Sequence, residues 1–362
     1  MKMKTALRHI DRYRRKKMAI FDPVLYKALS YDTYHQDTLI PVEQVQRILI
    51  VRNNKRIGNM FFLLPFVKQI RTAYPHAHIT LLLSQSWQGQ IFDGVGVDDI
   101  RYSNFSFGKA AAFFSEIKQL KKTVFDLIVA PYSSVEDSLI SAMLAGKNKV
   151  SVAHAKRNSA FTHVFEKNTA ETHSALHQLF LIEALTQQPL VYANHEMIFT
   201  EEELALGVKE KQVLCDNEFK VIAFFRGARG AKKLTDDKWR SILDTIQGLS
   251  PLPIRWIEIL SPDIQQPLMP NGLTYQNSNM RRLGCFIKNV TAFISCDTGP
   301  LHLADAAGAK CIGLFTHTCP KKYGVLGEAS INIDDVGSLE KRGELQQLFN
   351  ESHIEIYRHD HR

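Results

Sequence analysis

Residues 292–308, AFISCDTGPLHLADAAG, decide the reading of this chain. A short apolar run over 292–296 suits a buried strand, and a helical pattern follows over 301–307. Between them stand Asp297, Thr298 and Gly299, with Pro300 at the first helical position and Gly308 closing the helix. Proline suits that position because its amide would lack a partner anyway. Glycine lets a ligand approach the backbone, and a helix start offers free amides with a favourable dipole. A diphosphate fits such a place, and His302, in the first turn, is within reach of a phosphate oxygen or a sugar hydroxyl. The same residues also read as a helix cap, a turn and a core histidine, and the tripeptide alone does not separate the two readings.

Outward from this stretch, strands and helices alternate. Strands are expected at 220–225, 254–260 and 311–315, with helices at 236–246 and 280–288. The first half repeats the pattern: RILIVR at 47–52 reads as a strand, 53–59 as a polar loop and 60–73 as a helix. Strands follow near 78–83, 126–130 and 149–153, with helices at 110–122 and 137–145. Such alternation implies parallel sheets covered on both faces. A chain of 362 residues, 45% hydrophobic, has material for two cores. The class is therefore α/β, with two doubly wound Rossmann-like domains. The division expected is a basic arm and linking segment (1–46), an N-terminal domain (47–192), a C-terminal domain (193–335) and a helical tail (336–362). Residues 173–185 are apolar at helical spacing and lead into the junction.

Two further loops join the Asp297 turn at one sheet edge, as ligand loops of open sheets do. FFRGARGAKK at 224–233 follows a strand and carries Arg226, Gly227, Ala228, Arg229, Lys232 and Lys233, a mixture suited to phosphate oxygens. Lys233 reads more simply as a solvated charge. The third loop holds Thr316, His317, Thr318, Cys319 and Pro320, then Gly324 and Gly327.

The formal charge of +8 is unevenly placed. Residues 1–18 contain eight Lys or Arg and one acid, Asp11, so the remainder is close to neutral. That distribution argues against nucleic acid as a partner, which usually needs a basic stripe on the folded domain. The arm, interleaved with Met3, Leu7, Ile10, Tyr13, Met18 and Ile20, reads either as a contact with an anionic membrane leaflet or as a solvated end. No apolar run reaches the length of a membrane span, and Phe21, Asp22 and Pro23 interrupt any signal-peptide core. Five cysteines without a Cys-x-x-Cys pair read as reduced thiols. A cytoplasmic enzyme, peripheral on the inner membrane at most, is the expectation.

Taken together, ILIVRNNKRIGNMFFLLPFVKQIRTAYPHAHITLL, SCDTGPLHLADAAG and LFTHTCPKKYGVLG resemble glycosyltransferase family 9, the bacterial ADP-heptose:lipopolysaccharide heptosyltransferases. The resemblance covers roughly residues 47–330. It implies a GT-B fold, two Rossmann-like domains with parallel sheets facing across a cleft, and transfer of a heptose from ADP-heptose to a lipopolysaccharide core or related glycan. It puts Asp297, Thr298, Gly299 and His302 around the donor's diphosphate and sugar and makes Lys232 the phosphate-contacting lysine. Arg229, Gly227 and Thr316 complete the donor set. The acceptor enters near residues 52–59, where Arg52, Lys55 and Arg56 suit an anionic sugar. Neither metal nor cofactor is expected.

The departure is Asn59, where many members carry an aspartate thought to deprotonate the acceptor; an amide cannot accept that proton. Asp137, Glu136 or a junction histidine are alternative bases. Glu258 and Asp263 are candidates for the ribose or base. Three rival readings stand beside this one. A nicotinamide-dependent oxidoreductase is disfavoured because no Gly-x-Gly-x-x-Gly follows the first strand. A GT-B epimerase would turn over without acceptor, and a non-catalytic nucleotide-sugar-binding paralogue would turn over nothing.

Overall fold

A computed structural model describes residues 22–30, 33–104, 110–167, 171–192, 194–215, 219–264, 266–341, 343 and 345. The basic arm at 1–18 lies outside them, as does most of the expected helical tail, of which Val336–Lys341 form a 3-10 helix.

In chain order the elements are α1 (Asp22–Leu29), β1 (Arg47–Arg52), α2 (Gly58–Phe61), α3 (Leu64–Ala73), β2 (His78–Leu83), β3 (Asp99–Tyr102) and α4 (Ala110–Leu120). There follow β4 (Phe125–Ala130), α5 (Val135–Met143), β5 (Gly146–Val152), β6 (His163–Phe165) and α6 (Phe180–Thr186). The second half holds α7 (Glu201–Leu214), β7 (Lys220–Phe225), α8 (Asp236–Leu249), β8 (Ile254–Ile259), β9 (Leu273–Tyr275) and α9 (Met280–Lys288). It ends with β10 (Ala292–Cys296), α10 (Gly299–Ala306), β11 (Cys311–Leu314), α11 (Pro320–Tyr323) and β12 (Ile331–Ile333). The chain divides into two compact units, and residues 56–64 and 172–175 group with the second.

Each unit is built on one six-stranded sheet, ordered β3-β2-β1-β4-β5-β6 in the first and β12-β11-β10-β7-β8-β9 in the second. All strand pairs are parallel, and the second order, read from its other edge, repeats the first. Strands buried on both faces need continuous apolar runs, which FDLIVA in β4 and KVIAFF in β7 supply, apart from a charged residue near the start of each. In the first unit Leu49, Val51, Leu82, Phe113, Ile117 and Ile128 pack together; in the second Ile222, Phe224, Trp239, Ile242, Ile294 and Ile312 do. Helix starts are fixed by polar caps: Ser134 for α5, Thr200 with Glu203 for α7, Thr235 for α8 and Asn279 for α9.

Several local expectations change. The helix expected at 60–73 is two helices, α2 and α3, and Asn59 sits in α2 rather than in a loop. Only α6 is helical in the stretch 173–185, which otherwise turns. The linking segment contains α1, whose Tyr26 is buried against Ala142 and Ala160. The edge strands β3, β6, β9 and β12 were not expected; with three or four residues each, they carry little periodicity to read.

Candidate active site

In a doubly wound sheet the chain winds one way and then the other, and the loops at that reversal diverge to leave a crevice at the strands' carboxyl ends. In the second sheet the reversal lies between β7 and β10, which are hydrogen-bonded neighbours. The loop after β7 carries Lys232 and the turn after β10 carries Asp297, so the topology alone brings two distant motifs together.

They meet directly. Lys232 Nζ lies 2.5 Å from Asp297 Oδ2 and donates to the Asp297 carbonyl at 3.2 Å. His302 Nε2 approaches the other carboxylate oxygen at 3.0 Å. Burial alone would raise the Asp297 pKa, but the bonds from His302 and Lys232, with Thr318 beside them, outweigh it and bring the carboxyl to about 2. The aspartate is therefore an anion at any physiological pH, held between two nitrogen groups.

Thr298 is the N-cap of α10, yet its side chain makes no capping bond. Its hydroxyl turns instead to Ser295 Oγ at 2.9 Å, and Ser295 in turn donates to the Phe225 carbonyl at the end of β7. Asp297 does not cap the helix either, because Lys232 and His302 occupy it. The alternative of a simple cap and turn is thus not what the residues build: the first-turn amides of α10 lack a side-chain partner, as an anion-binding helix start requires. Gly308, with φ of 78°, closes the helix as expected.

Gly299 has a further reason to be glycine: a Cβ there would lie 2.1 Å from Ile57 Cγ2. This follows from α2, which packs on α10 within the second unit. A Cβ on Gly58 would sit 3.2 Å from His302 Cδ2, and Phe62 stands edge-on to the His302 ring at 4.6 Å. Asn59 directly follows Gly58 in α2, the helix that packs on α10. His302 is 5% exposed, and its Nδ1 has no hydrogen-bond partner among the described residues. Its ring reaches Asp297 rather than open space.

Other candidates divide sharply. Arg229 is exposed and Gly227 half-buried, both beside Lys232 in the same loop, and Thr316 is half-buried at the end of β11. Arg226 turns away: its guanidinium binds Glu258, Asp236 and the Gln266 carbonyl. Glu258 is buried, holding Arg226 and the Leu268 amide, so it braces the loop rather than waiting for a ribose. Asp263 is exposed.

In the first unit, Lys55 and Arg56 are exposed at the end of their loop, Arg56 grouping with the second unit. Arg52, expected to meet the acceptor, is instead 4% exposed. It binds Asp137 at 3.3 Å and stacks over Tyr132, 3.8 Å from the ring centre. Asp137 is fully buried and also accepts from the Asn53 amide at 2.6 Å. This removes Arg52 as an acceptor contact and Asp137 as a solvent-reachable base. Glu136 is half-buried in the first turn of α5.

Sequence reasoning missed Asp305. Its buried carboxylate accepts from the Leu326 and Gly327 amides at 3.0 and 2.9 Å and lies 3.4 Å from His195 Nε2. Burial alone would raise its pKa, but His195 and the two amides outweigh it and hold the carboxyl below its ordinary range. It thereby pins the third loop. The signal was available: an aspartate inside the apolar run HLADAAG must find partners. His173 similarly binds the Gly324 carbonyl at 3.0 Å. Among the described residues no three His, Cys, Asp or Glu side chains gather as a metal would need.

Residues 277–348, which span β10, α10 and the third loop, match the family model described as glycosyltransferase family 9 (heptosyltransferase). Over that stretch the chain is similar to this family. Lipopolysaccharide heptosyltransferase 3 of Escherichia coli K12 is 23% identical to this chain over 290 residues, covering 72% of this chain and 80% of the relative. Among solved structures, a family 9 glycosyl transferase from Veillonella parvula superposes with a TM-score of 0.70 at 15% identity, over 86% of this chain and 92% of the other. E. coli heptosyltransferase WaaC, solved with ADP-2-deoxy-2-fluoro heptose, gives 0.66 at 14% identity, over 85% and 100%. The fold of this chain is thus the GT-B fold of two Rossmann-like sheets.

Proposed function

We propose that this chain is a glycosyltransferase that moves a heptose from ADP-heptose onto a lipopolysaccharide core or a related envelope glycan. The observation that carries the donor side is the Lys232–Asp297–His302 arrangement beside an uncapped helix start. When the acceptor hydroxyl attacks the anomeric carbon, the bond to the diphosphate oxygen breaks, negative charge grows on the departing ADP, and the hydroxyl proton passes to solvent. The Lys232 ammonium, fixed by Asp297, and the α10 amides counter that charge, with Arg229 on the same loop adding to the field. His302 orients Asp297, and through it Lys232. Charge handled this way needs neither metal nor cofactor. Gly227 and Thr316 border the phosphates, and the exposed Lys55 and Arg56 meet an anionic acceptor. Asn59 positions that acceptor by hydrogen bonds without taking its proton. The heptose is supported by the family's description and by the name of the E. coli relative, and ADP by the ligand in the WaaC structure.

The test is nucleotide release from a panel of nucleotide sugars, each with and without heptose-deficient lipopolysaccharide. ADP release from ADP-heptose that depends on the acceptor is expected. Turnover of another nucleotide sugar without acceptor would overturn the reading in favour of an epimerase.

A further inference from the structure

The third loop of the second unit is held at its far end by side chains from three segments outside it. His173 Nε2 donates to the Gly324 carbonyl at 3.0 Å. Val325 is bound on both backbone groups by Asn332 of β12, whose Oδ1 accepts from its amide at 2.9 Å and whose Nδ2 donates to its carbonyl at 3.1 Å. Asp305 Oδ1 accepts from the Leu326 and Gly327 amides at 3.1 and 2.9 Å, and Oδ2 accepts from Leu326 at 3.0 Å. Residues 324–327, GVLG, are thus fixed one after another through their backbone, whereas a mobile surface loop leaves most such groups to water.

The near end of the loop is built differently. The Thr316 hydroxyl is buried and has no hydrogen-bond partner among the described residues, a cost that a bound ligand would relieve. Thr318 stands beside the Asp297 carboxylate. Between the two ends, His302 and Phe62 line one small cavity together with His173, His195, Asp305 and Leu326. The clamp and the histidine that orients Asp297 therefore share a wall.

We propose that Asp305, supported by His173 and Asn332, is a positioning residue for the donor: by clamping 324–327 it holds the third loop so that Thr316 and Thr318 meet the donor's phosphates. The donor then binds against a preformed wall and does not have to order a free loop. This rests on the donor reading given above. A merely structural Asp305 would act otherwise, lowering the melt while leaving the affinity of the folded chain unchanged.

The experiment is calorimetric titration of ADP into the full chain, paired with hydrogen exchange followed over residues 324–327. Asp305→Ala frees the Leu326 and Gly327 amides, which should exchange faster without global unfolding. ADP should then bind about tenfold more weakly, because it must order the loop itself. Asp305→Asn should recover most of the affinity, since an amide oxygen at the Oδ1 place still accepts from both backbone groups. Asn332→Ala, which releases Val325, should lose affinity in the same direction and carries the test if Asp305→Ala does not fold. A folded Asp305→Ala or Asn332→Ala chain that binds ADP as tightly as wild type would overturn the proposal, as would weaker binding with exchange at 324–327 unchanged. Failure of the wild-type chain to bind ADP would instead overturn the donor reading itself, and the proposal with it.

Discussion

At the reversal point of the first sheet, between β1 and β4, the cation that ends the first strand (Arg52) pairs with an aspartate from the segment after the fourth (Asp137). At the corresponding point of the second sheet, between β7 and β10, Lys232 from the loop after β7 pairs with Asp297 from the turn after β10. The two pairs share topology and charge and differ in setting. Asp137 is the third residue of its helix, and Arg52 and the Asn53 amide bind it with no exposure left. Asp297 precedes its helix and leaves those amides free, and the Lys232 side chain remains 34% exposed. One pair is a strut that closes a loop, whereas the other holds a cation where a ligand can reach it. A buried ion pair at a sheet edge is therefore not by itself a binding site; an open cation and an uncapped helix start make the difference.

The comparison is broken most severely at Asp297. Asp297→Ala releases both Lys232 and His302 and should lower kcat about a thousandfold, measured by acceptor-dependent ADP release; wild-type turnover would show that the second pair is also a strut. At Asp137 the loss should appear in stability. Asp137→Asn leaves Arg52 as an uncompensated buried charge, costing about 3–5 kcal/mol in denaturant unfolding, while kcat of the folded protein stays near wild type. A kcat collapse without destabilisation would make the first pair catalytic. The smallest effect belongs to Asn59. Losing a general base costs about a hundredfold to ten-thousandfold, and an amide is not one, so Asn59→Ala should cost less than about tenfold in kcat/KM.

Much of the second sheet was legible because its motifs lie beside buried strands: Asp297, Thr298 and Gly299 follow β10 directly, and Lys232 follows β7 by a short loop. The internal strands announced themselves through unbroken apolar runs. The edge strands did not, since β6 and β9, for example, are three residues each and half-exposed or more along their length. Arg52 misled because side-chain direction is invisible in sequence: a cation ending a strand can point to solvent or fold back on a buried carboxylate. Ile57 and Phe62 were hidden for another reason. They belong to a segment that leaves the first sheet and packs with α10, a long-range contact that no local pattern encodes.

In the proposed mechanism Lys232, set by Asp297 at the reversal point of the second sheet, holds the donor's phosphates. Calorimetric titration of ADP into wild type and Lys232→Ala tests it most directly. Loss of one hydrogen bond to a charged group, about 1.5–3 kcal/mol, should weaken ADP binding by about tenfold to a hundredfold, with the melt of the free protein little changed. An unchanged Kd would contradict this role and place the phosphate site elsewhere in the fold.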